Sequence, residues 1–169
     1  MTKILVITAS SGKNLELANS FLNELTTQGA DAQVLNLMDM NLPLYDSRTD
    51  AQHNAKELLG NWLGPIHESQ GYVFLAPEFN GATPPVFSNF LCWVSRSAKD
   101  WRVAFNEKPA VIGTFSAGGS GYILNALRMQ LAFIGMNVLG RQILTNFNKP
   151  LDLESLSAVC KSLIKQSKI

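Results

Sequence analysis

Three stretches of this chain combine small, hydroxyl-bearing or backbone-stiffening residues in a way that suits ligand binding. Ala9-Ser10-Ser11-Gly12-Lys13-Asn14 is rich in hydroxyls and leads into a helical pattern. Serine hydroxyls beside the unpaired amides of a helix start can cradle a phosphate. Pro77-Glu78-Phe79-Asn80-Gly81 is bounded by proline on both sides, by Pro77 and by Pro84-Pro85. Fixed φ angles stiffen such a segment, which then offers its amides and carbonyls to a planar ligand. Ser116-Ala117-Gly118-Gly119-Ser120 places two consecutive glycines where side chains would hold a ligand away from the backbone. Each segment also has a plainer reading, as helix cap, helix punctuation or tight turn.

Other chemistries fail on residue type or order. A nucleoside-triphosphate loop needs a glycine five positions before Gly12 and Ser or Thr after Lys13; Ile7 and Asn14 stand there. A dinucleotide fingerprint needs three glycines in the first loop, which holds Gly12 alone. Thr114-Phe115-Ser116-Ala117-Gly118 nearly spells a nucleophile elbow, but its first glycine is missing and both histidines, His53 and His67, precede Ser116. A phospho-acceptor signalling domain needs acids at the end of the first strand, where Thr8 and Ala9 stand. Neither histidine has metal-ligand spacing, so no metal is expected. Cys92 and Cys160 fall within helical patterns and read as packed, reduced thiols.

The elements that must carry these loops follow from periodicity. Ile4 to Ile7 is a continuous apolar run, the mark of a strand buried on both faces. Further strands are expected over 33–37, 72–76, 110–115 and 138–144. Helices are expected from Asn14 to about Gly29, from about Asp50 to Leu63 closed by Gly64-Pro65, over Val86 to Ser97, up to Ile134, and over 153–165. Five strands alternating with five helices predict an α/β, three-layer, doubly wound five-stranded parallel sheet with right-handed crossovers. The more polar second strand suits an edge, hence the order 2-1-3-4-5. All three loops then meet at the carboxyl ends of the strands, where the strand order reverses and ligands bind in such sheets.

Composition bounds the rest. The 169 residues make a single domain over 1–169, and 14 Lys+Arg against 13 Asp+Glu give a net charge of +1 with no basic run. That excludes a general nucleic-acid or membrane-surface binder. With 46% apolar and only 16% charged residues, a sheet covered on both sides and a subunit interface are expected. No apolar stretch reaches the roughly 18 residues of a membrane span, and Met1-Thr2-Lys3 runs straight into a strand, so a cytoplasmic location is expected.

The same loops carry a family resemblance. Pro77-Glu78-Phe79-Asn80-Gly81 with Pro84, Asn89 and Trp93 resembles the Pro-Glu-Tyr-Asn stretch, following proline and helical Asn of the NADPH-dependent FMN reductases. These are flavodoxin-like proteins that include quinone, azo-dye and chromate reductases. Gly113 to Gly119 resembles the family's glycine turn, Leu127-Arg128 its Leu-Arg, and Leu42-Pro43-Leu44 its loop after the second strand. The likeness spans roughly residues 3 to 145. The first loop departs from it: it is about two residues short and lacks the family's arginine, leaving Lys13 as its cation. Phe79 replaces the usual Tyr, and Pro85, Ser88 and Cys92 replace Gly, Lys and Asp on a face the family uses for dimer contact.

The resemblance implies a flavodoxin-like fold and an oxidoreductase. Electrons would pass from NAD(P)H as co-substrate through bound FMN, rather than FAD, to a flavin, quinone or similar small-molecule acceptor. Ser10, Ser11 and Asn14 would hold the phosphate. Pro77, Glu78, Phe79, Asn80, Ser116, Gly118 and Gly119 would hold the ring, with no residue acting as acid, base or nucleophile. A flavin-binding or flavin-free homologue without catalysis is the alternative that the altered first loop leaves open. Self-association as a homodimer or tetramer is expected through the helix Val86 to Ser97, with Phe87, Phe90 and Trp93 as an outward apolar row.

Overall fold

The structure is a computed structural model and describes residues 1–118 and 121–168. The first strand, β1 (Lys3–Thr8), pairs in parallel with β2 (Asp31–Asn36) on one side and β3 (Gly71–Leu75) on the other. Next to β3 lies β4 (Pro109–Phe115), also parallel. Two short strands, β5 (Asn137–Val138) and β6 (Ile143–Thr145), both pair with β4 beyond it. The order is β2-β1-β3-β4-β5, with β6 as a sixth strand alongside β4. That is the flavodoxin-like doubly wound order, and it reverses direction between β1 and β3.

Alternation within the strands divides the core. Ile4, Val6, Val73 and Val111 face α1 (Lys13–Thr27) and α7 (Leu153–Gln166), meeting Phe21, Leu25, Val159 and Leu163. Leu5, Ile7, Tyr72, Phe74 and Ile112 face the other way, toward α5 (Pro85–Arg96) and α6 (Tyr122–Phe133). Successive side chains point to opposite faces, so a strand covered on both sides is apolar throughout. That is the physical origin of the run at Ile4 to Ile7.

Three expectations need correction. The segment expected as one helix to Leu63 is α2 (Ser47–Gln52), α3 (Ala55–Leu59), a 3-10 turn and α4 (Leu63–Glu68). Asp46 and Asn54 accept backbone N–H groups and restart the helix each time. Pro65 does not close it, because within the first turn of α4 its missing N–H has no partner to lose. The expected strand 138–144 is broken between Val138 and Ile143, so that β5 follows β4 at Pro109 and β6 rejoins it at Gly113.

The third correction concerns α5. Phe87, Phe90 and Trp93 are at most 1% exposed and form no outward row. Phe87 meets Phe74 of the sheet edge-on at 5.8 Å. The loop after β2 folds over Trp93, whose indole N–H donates to the Pro43 carbonyl at 2.7 Å and whose ring meets Tyr45 at 5.2 Å. A loop brought in from the neighbouring crossover thus covers the face that helical periodicity alone leaves bare. Among the described residues no helix is long and apolar enough to cross a membrane.

Candidate active site

Three loops converge at the carboxyl ends of β1, β3 and β4. Between them lies a cavity of about 370 Å³ whose walls include Ser10, Asn14, Pro77, Glu78, Ser116 and Gly118. That volume falls in the range of small-molecule sites. Lys13, Phe115 and Ala117 complete its lining. A larger hollow of about 640 Å³ opens beside Gln70, Lys108 and Asn137, near the strands' amino ends. Burial lowers the Lys108 ammonium to about 8 there, while its Nζ donates to the His67 carbonyl at 2.8 Å. It lies at the end of the sheet where strand order builds no crevice.

Asn14 joins two of the loops. Its side chain is buried; Nδ2 donates to the Phe115 carbonyl at 3.1 Å, and Oδ1 accepts the Phe115 N–H at 2.8 Å. The reason lies in the sheet register. Leu75 pairs with Gly113, so two residues on Pro77 would stand opposite Phe115. β3 ends at Leu75, and the last bond made on that side is the Ala76 N–H on the Gly113 carbonyl at 3.4 Å. The amide of Asn14 serves the backbone that β3 leaves unpaired, and in doing so fixes the start of α1 against the end of β4. Both of its polar atoms are therefore engaged by protein.

The other predicted residues divide by position. Ser10 is half-buried on the cavity wall. Ser11 is exposed, and its Oγ accepts from Asn36 Nδ2 at 3.1 Å, tying the first loop to the end of β2. Glu78 accepts the Ile123 N–H at 3.3 Å, which places its carboxylate at the start of α6. Such a partner suits the positive end of a helix. Phe79 and Ala82 exchange backbone hydrogen bonds of 3.1 and 2.9 Å, and both central residues, Asn80 and Gly81, have positive φ (51° and 76°). This is a two-residue type I′ turn, for which Asn-Gly is the favoured pair. Asn80 is thus a turn former, and the exposed Phe79 stands at the turn's entrance rather than in the cavity wall. Ser116 is buried, with its N–H on the Thr145 carbonyl at 3.0 Å. A Cβ on Gly118 would meet nothing within 4 Å, so open space lies over this backbone. Gly119 lies outside the described residues.

Sequence reasoning passed over Phe115, because no local signal reveals that the last residue of β4 lines the crevice. It noted Lys13 only as a cation; its ammonium bonds the Glu16 carboxylate at 2.8 Å. Among the described residues no three His, Cys, Asp or Glu side chains gather as metal ligands.

Comparison with known proteins adds the family and the fold relatives. The family model described as NADPH-dependent FMN reductase matches residues 2–149. The chain belongs to the NADPH-dependent FMN reductase family. An uncharacterized protein of Mycoplasma pneumoniae, the MG342 homolog, is 23% identical over 167 residues, covering 96% of this chain and 99% of that one. Among solved structures, the flavoenzyme NAD(P)H:(acceptor) oxidoreductase FerB of Paracoccus denitrificans superposes with a TM-score of 0.77 at 16% identity, over 99% of this chain and 98% of its own. An oxidoreductase of Corynebacterium diphtheriae gives 0.76 at 16% identity, over 99% and 97%. At such identities the superpositions speak for the fold. Membership of the FMN reductase family makes the protein an FMN-dependent oxidoreductase. The three convergent loops offer features suited to such a cofactor: a crevice at the strand reversal, serines before a helix start, and an unobstructed Gly118 backbone.

Proposed function

We propose that this protein takes electrons from NAD(P)H and passes them, through FMN held between the three loops, to a small-molecule acceptor such as a flavin or quinone. The observation that carries the reading is the cavity at the β1–β3 reversal, closed by Asn14 on the Phe115 backbone, in a chain of the FMN reductase family. When bound, FMN would supply the hydride and electron transfer, so no side chain need act as acid, base or nucleophile. The chain's own residues bind and orient. Ser10, Ser11 and the first amides of α1 receive the phosphate, with Asn14 as the tie that keeps them in register. The backbone of Pro77 and Glu78 borders one side of the ring, backed by the turn at Phe79-Asn80, and Ser116 and Gly118 border another. The rigid type I′ turn and the Glu78 contact to α6 hold that border still.

For self-association the structure favours α6 over α5. Tyr122, Met129 and Phe133 lie along one face of α6, with the last two 73% and 77% exposed. An uncovered apolar helix face of this kind suits a second copy meeting it about a two-fold axis.

The visible spectrum of the purified protein tests the central reading. Bound flavin gives maxima near about 370 and 450 nm, bleached by anaerobic NAD(P)H and restored by acceptor. Apoprotein that takes up no FMN on titration would refute it. Protein that binds FMN yet is not reduced by either nicotinamide would instead be a flavin carrier.

A further inference from the structure

A second hollow, of about 330 Å³, adjoins the flavin cavity on its α1 side and shares Lys13 and Phe115 with it. Leu17, Pro150 and Leu151 give it an apolar floor, and Phe147 forms its outer wall. The Phe147 ring is 74% exposed, yet it is held in place. It sits in the turn Asn146 to Lys149, closed by two backbone hydrogen bonds of 2.9 and 3.2 Å. The Asn146 side chain braces that turn, accepting the N–H groups of Asn148 at 2.9 Å and Lys149 at 2.8 Å. The ring meets Phe115 edge-on at 5.1 Å. An aromatic wall fixed in this way, facing an apolar floor, suits a flat ring slid against it.

The rim narrows the choice of ring. Lys13 and Glu16 line the hollow as an ion pair. An ammonium answers a phosphate, and a carboxylate beside it accepts ribose hydroxyls, as acidic residues do in nucleotide sites. The two side chains partner each other, and a flat ligand that carries both a phosphate and ribose hydroxyls can engage both members of the pair. We propose that this groove binds an adenosine phosphate, its adenine lying against Phe147 over Leu17 and Leu151, and its phosphate and ribose meeting Lys13 and Glu16. The inference extends the flavin-dependent reading above, because a groove that shares two residues with the flavin cavity can receive the adenosine half of a dinucleotide acting there. Two dinucleotides carry that group: the nicotinamide co-substrate, and FAD.

Calorimetric titration of AMP into the full-length protein, with and without FMN, tests this. Saturable binding is expected, weakened about tenfold or more in Phe147→Ala, the loss typical of removing one base-stacking ring. Because Phe147 is exposed, the variant keeps its fold, with the thermal transition as control. Lys13→Met is expected to weaken AMP binding while leaving adenosine binding unchanged. AMP binding to the FMN-loaded protein in competition with NAD(P)H, with FAD held no tighter than FMN, would assign the groove to the nicotinamide co-substrate; FAD held tighter than FMN, with AMP excluded from the FAD-loaded protein, would assign it to FAD. No saturable AMP binding at millimolar concentration, or AMP affinity within twofold of wild type in Phe147→Ala, would overturn the proposal. AMP binding sensitive to Phe147 in a protein that takes up no flavin would leave the groove standing and remove the oxidoreductase reading instead.

Discussion

Replacing Asn14 by Ala tests whether one amide holds the site together. The substitution removes two hydrogen bonds, of 3.1 and 2.8 Å, and strands both the N–H and the carbonyl of Phe115, residues that lie 101 positions away. An unpaired buried donor or acceptor costs about 1–3 kcal/mol. Phe115 is half-buried, so water can reach part of the gap, and the loss should be about 2–4 kcal/mol. For a chain of this size that lowers the melting temperature by roughly 5–15 °C. FMN affinity should fall as well, because the start of α1 and the end of β4 are no longer held at a fixed separation. Asn14→Asp separates the two effects. It keeps an acceptor for the Phe115 N–H, but turns a carboxylate toward the Phe115 carbonyl and into the neighbourhood of the flavin phosphate. Its FMN affinity should therefore fall below that of Asn14→Ala. Urea unfolding followed by circular dichroism gives the stability, and flavin fluorescence quenching gives the affinity. An Asn14→Ala protein within about 0.5 kcal/mol of wild type, with FMN bound as tightly, would refute the reasoning.

Gly113→Ala should destabilise by roughly 1–3 kcal/mol in the same unfolding assay, since its Cβ would stand 2.8 Å from Leu75 Cδ2 and 3.2 Å from the Ile143 carbonyl oxygen. Cys160 should resist thiol reagents in the native state at pH 8, because burial first, and Glu24 second, push its thiol up to about 12; labelling should appear only on unfolding. The neutral thiol's contribution to stability is full below the unfolded thiol's value of about 9 and is lost as pH rises from there to about 12; Cys160→Ala should lack that slope. Phe133→Glu should shift light scattering from dimer to monomer with the far-UV circular dichroism spectrum unchanged, and an unchanged mass would dismiss α6 as the contact face.

Local patterns in the chain were enough to specify the frame. The run Ile4 to Ile7 is apolar because both faces of β1 are covered, and such runs alternating with helical periods define a doubly wound sheet. Pro77-Glu78-Phe79-Asn80-Gly81 announces a stiff turn because Asn-Gly tolerates positive φ and proline cannot continue a ladder. The strand order then puts the three loops at one crevice. What the sequence could not express were contacts between residues far apart along it. Nothing near Asn14 says that its amide completes a strand end 101 positions on, beyond the last residue of β3. Helical spacing shows that α5 is apolar nearly all round, but not that the loop at Pro43 to Tyr45 comes across to cover Trp93. The same limit hid the groove at Phe147, whose walls come from α1, β4 and the turn before α7. Periodicity records which side of its own element a residue occupies; which other element meets it there is decided only when the sheet closes the layers together.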